Sequence, residues 1–88
     1  MIEENVTVKN KKGIHTRPAA VLVKTAAKFS SDFTIIKDGM EINGKSIIGV
    51  MSLAAEEGAE LTVRVEGSDE KEAFQAITRA FEQGFDEE

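Results

Sequence analysis

Phe33-Thr34-Ile35-Ile36-Lys37-Asp38-Gly39-Met40-Glu41-Ile42-Asn43-Gly44-Lys45-Ser46 is the stretch on which two incompatible folds turn. Gly39 to Ser46 satisfies G-x-x-x-x-G-K-S, the pattern of a phosphate-binding loop between a strand and a helix. Asp38-Gly39, however, lies between two strand-like runs, Phe33 to Lys37 and Met40 to Ile42. Asp-Gly in that setting signals a hairpin, because a type I′ turn needs positive φ at both central residues. Met40 to Ile42 is then extended and cannot wrap a phosphate. The chain is also too short for a parallel sheet flanked by helices, and no strand ending in aspartate follows to hold Mg²⁺. A P-loop nucleotide-binding module is therefore the remote alternative, and the hairpin sets the fold.

Upstream of the hairpin, Ile2, Val6 and Val8 recur at even spacing, a half-buried strand. Lys9 to Gly13 breaks it. From about Thr16 to Phe29 the period changes, with Ala19, Leu22, Val23 and Ala26 on one helical face. Pro18 fits only in a first turn, where no intrahelical N–H is needed, so this helix starts at His15 or Thr16. Downstream, Asn43-Gly44-Lys45 turns and Ser46 caps a short helix from Ile47 to about Ala54. Gly49 inside it costs about 1 kcal/mol relative to Ala. A loop follows from Glu56 to Ala59. Leu61, Val63 and Val65 then alternate with polar residues as a strand. Ser68 or Asp69 opens a last helix with Ala73, Phe74, Ile77, Ala80 and Phe81 as its apolar stripe. If Asp69 is the cap, Glu72 completes a capping box. Gly84 is a natural stop.

The order β-α-β-β-α-β-α predicts an α+β domain over residues 1–88, one sheet with helices on one face. The strand-helix-strand connection leaves a gap for the last long strand, making neighbours antiparallel.

A chain of 88 residues buries only about 60% of its unfolded surface, which leaves little room for a deep cleft. Work on the surface, by carrying or binding, is the expectation. Net charge is −5, which disfavours a nucleic-acid binder. The acids crowd the second half (Glu56, Glu57, Glu60, Glu66, Asp69, Glu70, Glu72 and the Asp86-Glu87-Glu88 tail). Lys9, Lys11, Lys12, Arg17, Lys24 and Lys28 lie in the first third and could form a basic surface around His15. With no cysteine there is no disulfide, no thiolate nucleophile and no zinc site of the usual kind. No cofactor is implied. No apolar run reaches a membrane span, and Met1-Ile2 leads straight into Glu3-Glu4, unlike a signal peptide. The expectation is a cytoplasmic protein without membrane insertion.

The only histidine sits in Gly13-Ile14-His15-Thr16-Arg17-Pro18-Ala19, at a loop-to-helix junction. Neutral imidazole is a nucleophile near neutral pH, the free side chain titrating at about 6.5. A helix start presents free N–H groups and a positive dipole end, where a phosphoryl group is favoured. Arg17 could grip phosphate oxygens with its planar guanidinium. Spacing alone favours a plainer account, a surface N-cap histidine beside a surface arginine.

Ser46 can likewise be a cap, or a phosphorylation switch that adds charge to a docking surface without unfolding the helix. The short helix divides into Ile47, Ile48 and Met51 on one side and Val50 and Leu53 on the other. A two-layer domain buries one such face, which leaves either a contact surface or a well-buried helix. A plain interaction domain without phosphate chemistry would explain the apolar patch but make His15, Arg17 and Ser46 incidental.

Taken together, Gly-Ile-His-Thr-Arg-Pro-Ala and Asn-Gly-Lys-Ser-Ile-Ile-Gly-Val-Met-Ser-Leu closely resemble the HPr family, over essentially all 88 residues. The resemblance implies an open-faced β-sandwich, a four-stranded antiparallel sheet in the order 1-4-2-3 with three helices on one face. It implies a carrier, not a stand-alone enzyme. Nδ1 of His15 would accept a phosphoryl group from phosphorylated Enzyme I, whose donor is phosphoenolpyruvate, and pass it to IIA domains of sugar permeases. Arg17 would assist. Ser46 matches the site of an HPr kinase/phosphorylase, a transcriptional regulator is a further partner, and Thr16, Ala20, Ile47, Ile48 and Met51 match the partner-docking surface. The expected state is a monomer. Thr16 and Ile48 depart from the commoner alanine and methionine without removing a phosphoryl-handling group. Regulatory or nitrogen-type members share the histidine motif, so sugar uptake is one of two pathways implied.

Overall fold

Asp38 and Gly39 have φ of 51° and 82°, the two left-handed residues that a type I′ turn requires. They join β2 (Asp32–Lys37) to β3 (Met40–Asn43), paired antiparallel from Lys37↔Met40 to Thr34↔Asn43. The P-loop alternative ends here, since its central residues are a strand. The structure, a computed structural model, describes residues 1–86; Glu87 and Glu88 of the acidic tail lie outside the described residues.

The other edge of β2 pairs with β4 (Glu60–Glu66), and β4 pairs with β1 (Ile2–Thr7), all antiparallel. The sheet order β1-β4-β2-β3 matches the expected 1-4-2-3. Along β4, Leu61, Val63 and Val65 are buried beneath the helices, while Thr62 and Arg64 point to the open face. There Arg64 Nε donates to Glu3 at 2.8 Å, and its Nη1 to Glu41 at 3.4 Å. Thr62 Oγ1 donates to Asn5 at 2.9 Å. Such exposed pairs add little stability, but a one-residue slip would send Arg64 into the core, so the alternation fixes register.

Helices α1 (Thr16–Ala26), α2 (Ile47–Ser52) and α3 (Glu70–Glu82) cover one face. Leu22, Ile35, Leu61, Ile77 and Phe81 lie at the centre of the core. Helix α1 stops at Ala26, short of the expected Phe29. The next turn tightens, with Lys28 N–H bonded to Thr25 and Phe29 N–H to Ala26. Lys45 Nζ closes this end by donating to the Phe29 carbonyl at 2.8 Å. Helix α2 likewise ends at Ser52, before Ala54.

The expected capping box on α3 does not form. Asp69 occupies the N-cap position but makes no side-chain cap. Its carboxylate instead accepts from Ser30 N–H at 2.9 Å, Ser31 N–H at 3.0 Å and the Ser31 hydroxyl. Those bonds, led by the Ser31 hydroxyl, hold Asp69 below the usual carboxylate range. Glu70 rather than Glu72 reaches back, accepting from Gly67 N–H at 3.1 Å. Beyond α3, Gly84 (φ 60°) ends the helix as expected, and Phe85 (φ 55°) turns the chain inward onto Phe81, ring centroids 5.0 Å apart. Among the described residues, no helix is long and apolar enough to cross a membrane.

Candidate functional site

The loop between β1 and α1 is shaped by close backbone contacts. Asn10 is buried, and its Nδ2 donates to the Gly84 carbonyl at 2.7 Å, 74 residues away in sequence. Its own carbonyl accepts Gly13 N–H at 3.0 Å, closing the turn. Gly13 (φ 69°) lies so close to the α2–β4 connection that a Cβ would sit 2.2 Å from the Ala55 carbonyl oxygen. The next amide, Ile14 N–H, donates to that same oxygen at 2.9 Å, and the Ile14 side chain is buried. These contacts anchor the backbone just ahead of the residue that follows.

That residue is His15, the N-cap of α1, with extended backbone (φ −98°, ψ −163°) and its carbonyl accepting Ala19 N–H. Helix α1 has no side-chain cap hydrogen bond and no acid in its first turn. Among the described residues the amides of Thr16 and Arg17 have no acceptor, and Pro18 has no N–H to offer. The positive end of the helix dipole lies beside the imidazole. The ring is half-buried and its Nε2 is enclosed. His15 is thus less protruding than a surface cap, but not sealed in the core.

Arg17 is exposed and makes no hydrogen bond or ion pair among the described residues, which leaves its guanidinium available to an incoming anion. Thr16 is exposed and Ala20, one turn on, is half-buried. Lys9, Lys11 and Lys12 are exposed in the preceding loop. Lys24 and Lys28 are also exposed, but Lys24 lies about 12 Å farther along the helix axis, at roughly 1.5 Å per residue. The basic surface expected around His15 thus narrows to Arg17 and the loop lysines.

Ser46 is the N-cap of α2, its Oγ accepting Gly49 N–H at 3.0 Å. The two faces separate as the spacing indicated: Val50 and Leu53 are buried, while Ile47, Ile48 and Met51 are exposed, Ile48 at 82%. Helices α1 and α2 pack together, so the apolar patch and the histidine loop belong to one side of the molecule.

A family profile described as "PTS HPr component phosphorylation site" matches residues 2–83. A phosphocarrier protein HPr from Xylella fastidiosa (strain Temecula1) is 48% identical over 88 residues, covering 100% of this chain and 99% of that protein.

The chain belongs to the HPr family.

It is an HPr-type phosphocarrier domain, and its fold is the family's. The solved HPr from Thermoanaerobacter tengcongensis superposes with a TM-score of 0.96 at 45% identity, covering 100% of this chain and 99% of that one. A second structure of the same protein, described as a dimer, gives 0.80 at 45% identity, with coverage of 99% and 100%. The HPr-like protein Crh of Halalkalibacterium halodurans is 48% identical over 77 residues, or 88% of this chain and 92% of that protein. The supporting residues Asn10 and Ala55 carry no local sequence signal, because their partners are distant in the chain. Gly13 could be noticed as a glycine, but not as one held against the Ala55 carbonyl.

Proposed function

We propose that this HPr-family chain carries a phosphoryl group on Nδ1 of His15, taken from phosphorylated Enzyme I and passed to IIA domains of sugar permeases. The observation that carries the proposal is the start of α1, which has no side-chain cap and whose Thr16 and Arg17 amides lack acceptors among the described residues, beside a histidine whose Nε2 is enclosed. The lone pair on Nδ1 attacks phosphorus as the bond to the Enzyme I donor atom breaks, and the reverse displacement delivers the group to the IIA acceptor. The two amides and the Arg17 guanidinium stabilise charge on the equatorial oxygens during transfer. Catalysis needs both partners, so the chain is a carrier and not a stand-alone enzyme.

Thr16, Ala20, Ile47, Ile48 and Met51 form the docking surface in this proposal. Ser46 is its regulatory site, open to an HPr kinase/phosphorylase: phosphate there stays compatible with the helix start but places charge beside exposed isoleucines. A transcriptional regulator would read that phosphate. The proposed setting is cytoplasmic and the working form a monomer, with neither nucleic acid nor membrane as partner. Likeness to Crh, named HPr-like, favours a second reading, a regulatory role not coupled to sugar uptake.

Incubation with Enzyme I and phosphoenolpyruvate should give one acid-labile, base-stable phosphate, absent in His15→Ala. A wild-type chain left unmodified by a competent Enzyme I would overturn the proposal.

A further inference from the structure

Among the described residues, three other than glycine hold positive φ: Asp38, Ala54 and Phe85. Asp38 is the first corner of the type I′ hairpin, a position aspartate tolerates. Phe85 is held by burial against Phe81. Ala54, at φ 50°, has neither excuse. Its side chain is exposed, and alanine has no polar group to favour the left-handed region. Strain of this kind persists where the surrounding structure dictates it, and it gathers at working sites.

What the turn achieves is visible one residue later. Ala54 N–H still bonds to the Met51 carbonyl, closing α2. The left-handed step then redirects the chain so that the Ala55 carbonyl meets Ile14 N–H at 2.9 Å, with Gly13 pressed against the same group. Ile14 immediately precedes His15. Besides the packing of α1 on α2, the helix bearing Ile47, Ile48 and Met51 is thus joined to the histidine loop by a backbone contact through a strained residue.

We infer that Ala54 and Gly13 are positioning residues: together they form a rigid joint that sets the distance and angle between the docking helix and His15. The inference rests on His15 being the phosphoryl acceptor. A partner that seats on α2 then finds the imidazole already aligned, and transfer between aligned groups is where small displacements cost most. The joint acts on alignment, not on docking, so its loss appears in kcat and not in KM.

The test is steady-state transfer from phosphorylated Enzyme I, with thermal unfolding run on every variant. Ala54→Val places a β-branched residue where left-handed φ is strongly disfavoured and removes no buried contact. It should lower kcat about tenfold or more with KM unchanged. Ala54→Gly, which adopts the same φ without strain, should keep wild-type kcat. Gly13→Ala, whose methyl would collide with the Ala55 carbonyl, should repeat the loss, and it decides the matter if Ala54→Val does not fold. Wild-type kcat in the folded disruptive variant, or a loss confined to KM, overturns the joint. A wild-type chain that takes no phosphate overturns the carrier reading and the joint with it; a phosphorylated wild type beside an unimpaired Ala54→Val overturns the joint alone.

Discussion

Helix α3 opens on Asp69, Glu70 and Glu72, and its carboxylates take hydrogen bonds from Ser30, Ser31 and Gly67; helix α1 opens on His15, Thr16 and Arg17, with no acid in the first turn and no side-chain cap. Both ends carry a backbone dipole of the same sense, with one orphan N–H fewer at α1 because of Pro18. At α3 the protein supplies its own anions, and they serve the fold by lashing the α1–β2 connection to the helix start. At α1 the first turn holds no acid, and a histidine and a guanidinium stand there instead. The acids at one helix start serve the fold, and the other start is where the proposed phosphoryl site lies.

The largest effect that would sharpen this contrast is a swap of losses. His15→Ala should abolish acid-labile phosphate, while Asp69→Ala should lower the thermal midpoint and leave the extent of phosphorylation intact; a transfer defect in folded Asp69→Ala would break the contrast. Next in size is Arg17→Ala. Removing one charge-assisted grip on the phosphoryl oxygens should slow transfer roughly 10–100-fold, with an unchanged unfolding midpoint, since Arg17 has no bond within the described fold. Equal single-turnover rates would remove Arg17 from the chemistry.

Ser31→Ala should do the reverse. Its buried hydroxyl donates to Asp69, so its loss should cost about 1–2 kcal/mol of stability by denaturant titration without slowing transfer. The same clasp gives the smallest effect, a pH dependence. Asp69 is depressed first by the Ser31 hydroxyl and then by Ser30 N–H, and Glu70 first by Gly67 N–H. Groups lowered in the folded state contribute stability in full above the unfolded carboxylate range. That contribution fades as pH drops below about 4 and is lost through their folded pKa values. Unfolding midpoints of wild type and Asp69→Ala should therefore converge as pH falls through that range.

Much of this architecture is legible in the chain. Asp38-Gly39 specifies the hairpin, Pro18 restricts where α1 can begin, and the alternation of Leu61, Val63 and Val65 marks β4 as the strand buried on one face. The cap positions of His15 and Ser46 and the split between Val50 and Ile48 are legible for the same reason: local spacing decides them. The Asp69 carboxylate was unreadable because the serines that claim it lie 38 and 39 residues away, and a non-local partner outcompeted the local capping box with Glu72. Ala54 is unreadable in a stronger sense. Nothing about an alanine after a short helix announces left-handed backbone; the need for it arises only once the Ala55 carbonyl must reach Ile14. Asn10 looks like one more polar loop residue until Gly84 is brought beside it.

The start of α1 is tested most directly by following backbone amides by NMR as His15 is phosphorylated with Enzyme I and phosphoenolpyruvate. The account expects the Thr16 and Arg17 amide protons to move strongly downfield as they take up phosphoryl oxygens, while Glu70 and Glu72 at the start of α3 stay in place. Phosphorylated protein whose Thr16 and Arg17 amides do not move, or move no more than those of α3, would contradict it.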